Sequence, residues 1–431
     1  MHLWMFFGQV PNSGNVFNVP KYQSLKIGEG TGTFTLTGTS TEIKLTYPDG
    51  TKASDYSALV AQITPEGANG TYTDIDSRSA DANGWSVTSN LEEAKVIVTA
   101  GSGKALLRVT LIQANGNEVT ASRIVENLGY TVSEDGKTYT VYNADGLIAW
   151  GNAVNVEKGQ YRYTNCILTA DINMQDKTWA GVCTGNSEWF AGTFDGGGHT
   201  ISNLTYTCEQ DAAFIKKASE NCIIKNVTFK NLEITATSHS AGGIIKQASG
   251  STTVINCHVV GGKVISTGLG QAGGIIGFIT SENVKVYACS SSAEIQSKSW
   301  RGGIVGDNGG NYAHKGGTIV ACYATGNVVE LTPNAVSNDA GVIVGANYGT
   351  ITSCYWANDE LDCGYNVYEG VGAGGKFKEE NIENKVTDNN WDAAITAMNQ
   401  ALATANIKNY TWIRNTGDDA ENHPLIIQVA D

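Results

Sequence analysis

Thiolates bind metals or exchange disulfides when two or more converge, so the cysteines are the first residues to test for chemistry. The nine are Cys166, Cys183, Cys208, Cys222, Cys257, Cys289, Cys322, Cys354 and Cys363, with no CxxC pair among them. A zinc ribbon is therefore excluded. From Val227 through Cys257, Cys289, Cys322 and Cys354 the spacing is 30, 32, 33 and 32 residues. Small apolar residues at a near-constant period read as a packing row, because a buried free cysteine behaves as a small hydrophobe. One thiol per repeat also leaves each competing for two neighbours, which disfavours mutual disulfides. Cys166 and Cys183 stay open as a pair.

Zinc hydrolysis by a His-Glu-x-x-His helix needs two histidines one helical turn apart. His199, His239, His258, His314 and His423 are scattered, and none fits that spacing. Polysaccharide cleavage needs carboxylates or a base converging beside a groove. Asp195, Glu233, Glu294, Asp307 and Asp339 do not share one repeat position. The turns at Asp135-Gly136, Asp145-Gly146 and Asp418-Asp419 offer oxygens for calcium, but none matches an EF-hand loop, and ordinary turn chemistry accounts for them. Tyr312, Tyr348, Trp300 and Trp356 are aromatic platforms on which a sugar ring could stack, as are Tyr323 and Tyr355. Tyr323 and Tyr355 directly follow row cysteines, so strand alternation turns both away from the interior. The stripe of Tyr323, Tyr355, Trp356 and Trp300 is the one ligand-binding expectation. Its structural alternative is aromatic stacking that only stabilises the sheet.

The element that must position these residues is a repeat. Gly242-Gly243-Ile244-Ile245, Gly273-Gly274-Ile275-Ile276-Gly277, Gly302-Gly303-Ile304-Val305-Gly306 and Gly341-Val342-Ile343-Val344-Gly345 are copies of one motif, and Ala212-Ala213-Phe214-Ile215 is a degenerate fifth. Each is followed by a second strand-like stretch carrying a row residue. Aligning one copy earlier puts Leu204 in that row, giving Leu204, Val227, Cys257, Cys289, Cys322 and Cys354. A period near 30 with several short strands per unit is the mark of a solenoid, whose units bury their apolar faces only by stacking. Six rungs about 4.8 Å apart make a rod of roughly 25 to 30 Å.

Ahead of the rod, a hairpin at Glu134-Asp135-Gly136-Lys137 precedes alternating Thr138 to Tyr142, and residues 143–154 read as a short capping helix. Behind it, Trp391 opens a helix through Ile395, Met398 and Leu402, followed by strands at 410–413 and 424–427; this piece is expected to close the far end. Residues 1–127 carry alternating runs at 33–37, 42–47 and 95–99 between turns such as Pro48-Asp49-Gly50, the pattern of a β-sandwich. Residues 128–375 then form the amino-terminal cap and rod, and 376–431 the carboxy-terminal cap. Met1 to Phe7 is too short for a signal peptide, so the expectation is a removed export signal and a truncated first domain.

Gly accounts for 51 of 431 residues and charged residues for 16%, which implies many tight turns and few charged helices. A formal charge of −14 with no basic cluster repels phosphate backbones and argues against nucleic acid. No apolar run reaches about 18 residues, so no spanning helix is expected.

The Gly-Gly-Ile-Val-Gly repeats resemble the GLUG motif of surface proteins from gut Bacteroidetes and of some IgA-cleaving metallopeptidases. Gly192-Thr193-Phe194-Asp195-Gly196-Gly197-Gly198-His199-Thr200-Ile201 and Tyr139-Thr140-Val141-Tyr142 with Gly146-Leu147 look like the lead-in that such arrays carry, extending the resemblance over residues 138–427. The first domain, through Asp55 to Ala61, is similar to fimbrillin-like sandwiches. The resemblance implies an exported, often lipid-anchored protein that adheres or binds, here with the anchor on the missing amino terminus. It brings no catalytic residues.

Together these readings predict an all-β chain: an antiparallel sandwich, then a right-handed parallel β-helix with a small helical and β carboxy-terminal cap. The expected function is a non-catalytic surface adhesin, without cofactor or metal, binding a host or dietary glycan or an extracellular host protein. The alternatives are a polysaccharide lyase or glycoside hydrolase on the same scaffold, and a structural stalk or pilus-associated component.

Overall fold

The computed structural model describes residues 24–66, 70, 72, 84–101, 103–156, 161–183, 185, 189–309, 315–331, 340–358, 361, 363–369, 376–380 and 384–430. The chain forms two compact units, 1–127 and 128–431. Met1 to Phe7, Tyr312, His314 and Asp339 lie outside the described residues.

The first unit is a sandwich of two four-stranded sheets. One orders Lys26–Ile27, Ser40–Thr46, Lys95–Thr99 and Ser86–Asn90; the other orders Phe34–Thr35, Glu118–Asn127, Gly103–Ile112 and Ala58–Pro65. Pairing is antiparallel except where Phe34–Thr35 runs parallel to Glu118–Asn127. Alternation along these strands sends Ile43, Val96 and Val98 from one sheet and Leu107, Val109, Leu111 and Val125 from the other into a shared core, with Trp85 buried among them.

The second unit is a parallel β-solenoid of about seven turns. A full turn is seen in the pairing of Ile223–Ala236 with Thr253–Ser266, which holds register from Ile223↔Thr253 to Ala236↔Ser266. The turn then continues through a two-residue strand, Ala241–Gly242 on Ala272–Gly273, and a four-residue strand, Ile245–Ala248 on Ile276–Ile279. Within the long strands the chain bends at residues in the left-handed region. Asn226, Asn256, Ala288, Ala321 and Ser353 all have φ between 47° and 56°, and each immediately precedes a row residue. Asparagine tolerates this conformation and also stacks: Asn256 Nδ2 donates to Asn226 Oδ1 at 3.0 Å, and Asn226 Nδ2 to Asp195 Oδ1 at 3.2 Å.

The motif glycines answer to space rather than to φ. A Cβ on Gly273 would sit 1.9 Å from the Ile276 carbonyl oxygen of its own turn, and one on Gly274 would sit 2.0 Å from Gly303 O of the next. No side chain fits either gap, so the repeat spells glycine wherever the chain folds this tightly.

The interior is apolar throughout, with Ile224, Val254, Val286 and Ile319 forming one buried column. At the amino-terminal end it becomes aromatic. Helix α1, Ala144–Val154, is capped by Asn143, whose side chain accepts from Gly146 N. It lowers Leu147, Trp150 and Val154 onto the end of the tube. Trp150 packs against Phe190, Phe194 and Phe214 and donates Nε1 to Thr164 O at 3.1 Å. The hairpin of Tyr130–Val132 with Thr138–Val141 precedes it, and Thr138–Val141 starts the parallel stack on Asn165–Leu168.

Two expectations need correction. Leu204 does not stand in the row of Val227. The pairs Ile201↔Phe229 and Thr205↔Glu233 set it over Leu232, one corner further on, because the turn at Gly196–His199 shifts that rung's count. The carboxy-terminal piece also runs differently from the end cap expected of it. Two short segments close the end of the stack: Lys376–Glu380 pairs antiparallel with Tyr365–Glu369, and beside it Val386 N donates to Trp356 O at 2.7 Å and Asn384 Nδ2 to Cys354 O at 3.0 Å. Helix α2, Asp392–Thr404, and the hairpin Tyr410–Arg414 with Leu425–Val429 then lie along the rod's flank. Trp412 Nε1 donates to Ala321 O, and Tyr410 Oη reaches back to Asn226 Oδ1 at 3.0 Å. The driving force is a second apolar layer outside the tube. Ile255, Tyr287, Val320 and Tyr323 face Trp391, Met398, Leu402 and Trp412, so this sheet is buried on both faces.

Candidate functional site

The row residues Val227, Cys257, Cys289, Cys322 and Cys354 do stack, each buried inside the tube. Their thiols contact carbonyls of their own and preceding rungs, as with Cys289 Sγ to Tyr287 O at 3.2 Å. Burial pushes Cys289, Cys322 and Cys354 well above the ordinary thiol range. Neutral thiols in an apolar tube neither bind metal nor attack electrophiles. Cys166 and Cys183 are both buried and are not bonded to each other.

The aromatic stripe is not a surface. Tyr323 does turn away from the interior, but what lies outside it is the carboxy-terminal arm, and it is 0% exposed. Its ring packs against Trp391 and Trp412 at 5.2 and 5.1 Å between centroids, and its hydroxyl donates to Leu425 O at 2.7 Å. Trp356 is buried inside the last rung, while Tyr355 and Trp300 are half-buried. Alternation predicted the facing of Tyr323 correctly; a covering layer supplied by distant sequence removed the exposure that a sugar platform needs.

The carboxylates do not converge. Asp195 pairs with Lys225 at 3.0 Å. Glu233, Lys263 and Glu294 alternate in sign down one column, with Lys263 Nζ 3.2 Å from Glu294. Asp307 is buried on another face. The Asp135 carboxylate accepts from Ser133 and the Lys137 N–H, as a turn residue does, whereas Asp145 lies not in a loop turn but in the first turn of helix α1, where it pairs with Lys177. Among the described residues no group of three or more His, Cys, Asp or Glu is placed to hold a metal.

Two histidines that read as scattered do meet. His258 on the rod and His423 on the arm lie 5.6 Å apart between ring centroids. His258 Nε2 is 2.9 Å from Asn256 Oδ1 and Nδ1 is 2.8 Å from Ser290 Oγ, which is 3.4 Å from His423 Nε2. His423 Nδ1 is 4.0 Å from the Asp419 carboxylate. Burial pushes both imidazoles below their ordinary value; His423 lowers His258 further, and Asp419 pulls His423 back up. Ser290, His423 and Asp419 follow the order of a nucleophile relay. Ser290 is buried beneath the arm, however, and the adjoining cavity of about 170 Å³ is lined by the two histidines, not by the serine. The cluster fastens arm to rod.

The arrangement that can receive a ligand is an open cleft of about 940 Å³ between the last rungs and the arm. The rod contributes Thr325, Asn327, Ala357 and Asn358; the arm contributes Lys385 to Asn389 and Ala420 to Asn422. Thr325 Oγ1 donates to Asn422 O at 2.8 Å and pins one rim. Asn358 Nδ2 donates to Gly326 O at 3.1 Å and Asn327 Oδ1 at 3.2 Å, fixing the floor. Asp388 and Asn389, with φ of 52° and 54°, turn the chain at the other rim, where Arg414 Nη2 donates to Asn389 O at 2.7 Å. Asn327, Thr387, Asp388, Asn389, Glu421 and Asn422 remain exposed. Amide and hydroxyl groups both donate and accept, so this lining is chemically matched to a hydroxyl-rich ligand. No sequence signal marks the cleft, because its lining comes from separate stretches at 325–327, 357–358, 385–391 and 420–424 and none carries a motif.

No protein-family model matches the chain. Halomucin from Haloquadratum walsbyi is 26% identical over 213 residues, 46% of this chain, and the match spans 2% of that protein's length. Among solved structures, a proposed immunoglobulin A1 protease from Bacteroides ovatus is similar with a TM-score of 0.48 and 19% identity, over 70% of this chain and 94% of that one. An IgA1 protease aligns with a TM-score of 0.33 and 11% identity over 76% of this chain and 30% of the other. No helix among the described residues is long and apolar enough to cross a membrane.

Proposed function

We propose that the protein is an exported, non-catalytic binding module of the cell surface that retains a glycan in the cleft between rod and arm. The cleft's lining carries the reading: side-chain amides, hydroxyls and backbone turns frame a space of about 940 Å³ that a short oligosaccharide would fill. Lys385, held over the Trp356 ring at 5.2 Å, adds a cation to the cleft of this net-acidic chain. The GLUG-like repeats and the stretch similar to Halomucin support placement outside the cell. The rod is a rigid display scaffold, because every turn is held by both neighbours.

A second reading rests on one observation: two exposed carboxylates, Asp388 and Glu421, both line the cleft. A pair of acids beside a bound sugar is the equipment of a glycoside hydrolase. The protein applied to immobilised mucins and to plant and host polysaccharides, followed for retention and soluble product together, separates the two. Retention without product, weakened by Asn327→Ala, is the expected result. Product release that is lost in Asp388→Asn or Glu421→Gln would replace the binding module with a hydrolase.

A further inference from the structure

The loop that carries His423 is also a wall of the cleft. Residues 415–424 join the two strands of the arm's hairpin, and Ala420, Glu421 and Asn422 line the cleft immediately before His423. The loop folds on itself: Asn415 Nδ2 donates to Asp419 Oδ1 and to His423 O, both at 2.8 Å, and His423 N donates to Asp419 O at 2.8 Å. Among the described residues, the hydrogen-bonding contacts that tie it to the rod are Thr325 Oγ1 to Asn422 O at 2.8 Å and His423 Nε2 with Ser290 Oγ at 3.4 Å.

The second of these depends on protonation. Asn256 Nδ2 donates to Asn226 Oδ1, so Asn256 Oδ1 faces His258 as an acceptor. The network then assigns the tautomers: His258 carries its proton on Nε2, its bare Nδ1 accepts from the Ser290 hydroxyl, and that oxygen accepts from His423 Nε2–H. A neutral pair completes a one-way relay through a single hydroxyl. Two imidazolium rings would turn two N–H groups on that oxygen and set two positive charges 5.6 Å apart in a buried layer. The groups around the pair offer little relief. On the loop, Asp419 is 4.0 Å from His423 Nδ1, while Asp418 and Glu421 are exposed. On the rod, the Tyr323 ring lies 6.0 Å from His423 with its hydroxyl committed to Leu425 O. On the hairpin, Trp412 packs edge-on to His258, Tyr410 bonds Asn226 near the Lys225–Asp195 pair, and Arg414 turns away to Asn389 and Asp392. Among the described residues no carboxylate pairs with His258.

We propose that this loop is an acid-operated gate on the cleft: with His258 and His423 neutral it stays on the rod and completes the wall, and when both take protons it lets go. As control of ligand retention, the gate rests on the cleft being the glycan site. Burial holds both imidazoles below their ordinary value, with His423 lowering His258 further and Asp419 pulling His423 back up. The docked loop therefore binds fewer protons than the released one. Docking is at full strength above the unfolded value of about 6.5 and weakens as pH falls below it. An imidazole kept neutral while docked and free to protonate when released shifts the equilibrium toward release by about 30-fold between pH 7.5 and pH 5.

Amide exchange of residues 420–423 in the full chain at pH 7.5 and 5, corrected for intrinsic rates, tests the gate without any ligand. Opening should rise by about 30-fold at pH 5; equal protection at both values overturns the gate. Asp419→Asn keeps an acceptor for Asn415 but takes the countercharge from His423, so acid opening should grow. An unchanged or smaller pH effect in that variant overturns the assignment to the imidazoles, as does a full effect surviving in His258→Gln/His423→Gln. Coupling to the ligand is read by loading the protein at pH 7.5 on whichever immobilised mucin or polysaccharide retains it and stepping to pH 5. Dissociation should accelerate by about tenfold or more, and unchanged dissociation while the loop opens overturns control of retention. Failure of the cleft as the glycan site looks different: no retention at pH 7.5, with the exchange response intact.

Discussion

Tyr323 is the residue whose replacement most sharply separates a covered flank from an exposed stripe. Tyr323→Phe keeps the ring against Trp391 and Trp412 but removes the hydroxyl that donates to Leu425 O at 2.7 Å. The Leu425 carbonyl is left without that donor in a dry layer, at a cost of about 1 to 2 kcal/mol. Tyr323→Ser also removes the ring from the centre of the arm's contact and costs about 3 to 5 kcal/mol, the range for deleting a buried aromatic. Both losses fall on arm docking. The assay is therefore amide hydrogen exchange of Tyr410–Arg414 and Leu425–Val429 by mass spectrometry, which reads local opening. Exchange in the hairpin should accelerate about 5- to 30-fold in Tyr323→Phe and well beyond that in Tyr323→Ser. Strands inside the first rungs should be unaffected. Wild-type protection of the hairpin in the serine variant would refute the buried flank.

Three more outcomes follow from the same geometry. Gly274→Ala puts a Cβ 2.0 Å from Gly303 O, a gap backbone must open, so thermal denaturation should show a loss of more than about 3 kcal/mol; a variant as stable as the parent contradicts the close-approach account. Trp150→Ala empties the aromatic end of the tube and should cost about 3 to 5 kcal/mol by denaturant midpoint, against no change if α1 were loosely attached. The depressed imidazoles of His258 and His423 bind fewer protons folded than unfolded. Arm stability is therefore constant above the unfolded value of about 6.5 and falls as pH drops below it. Hairpin exchange compared at pH 7.5 and 5, corrected for intrinsic rates, checks this; equal protection at both, or an undiminished pH effect in a His258→Gln/His423→Gln variant, contradicts it.

The rod was legible because its constraints are local and repeated. Gly273 and Gly274 mark a fold-back that only glycine fits, and the residues preceding the row cysteines mark the corners. Register failed only at Leu204, where a rung of different length interrupts the count. The facing of Tyr323 was also legible, but its burial was not, since alternation tells inside from outside a tube and says nothing about what covers the outside. The meeting of His258 with His423, and of Asn327 with Asp388 and Asn422 around one cleft, depends on where a carboxy-terminal arm docks. That docking is encoded in an apolar second layer spread over Ile255, Tyr287, Val320 and Tyr323, one or two residues per rung, too dilute to stand out as a pattern.

Hydrogen exchange of the protein with and without a retained oligosaccharide tests glycan binding in the cleft most directly. Slowed exchange confined to Thr325–Asn327, Thr387–Asn389 and Ala420–Asn422 is the predicted result. Protection on the sandwich or on another face of the rod, with those segments unchanged, would contradict it.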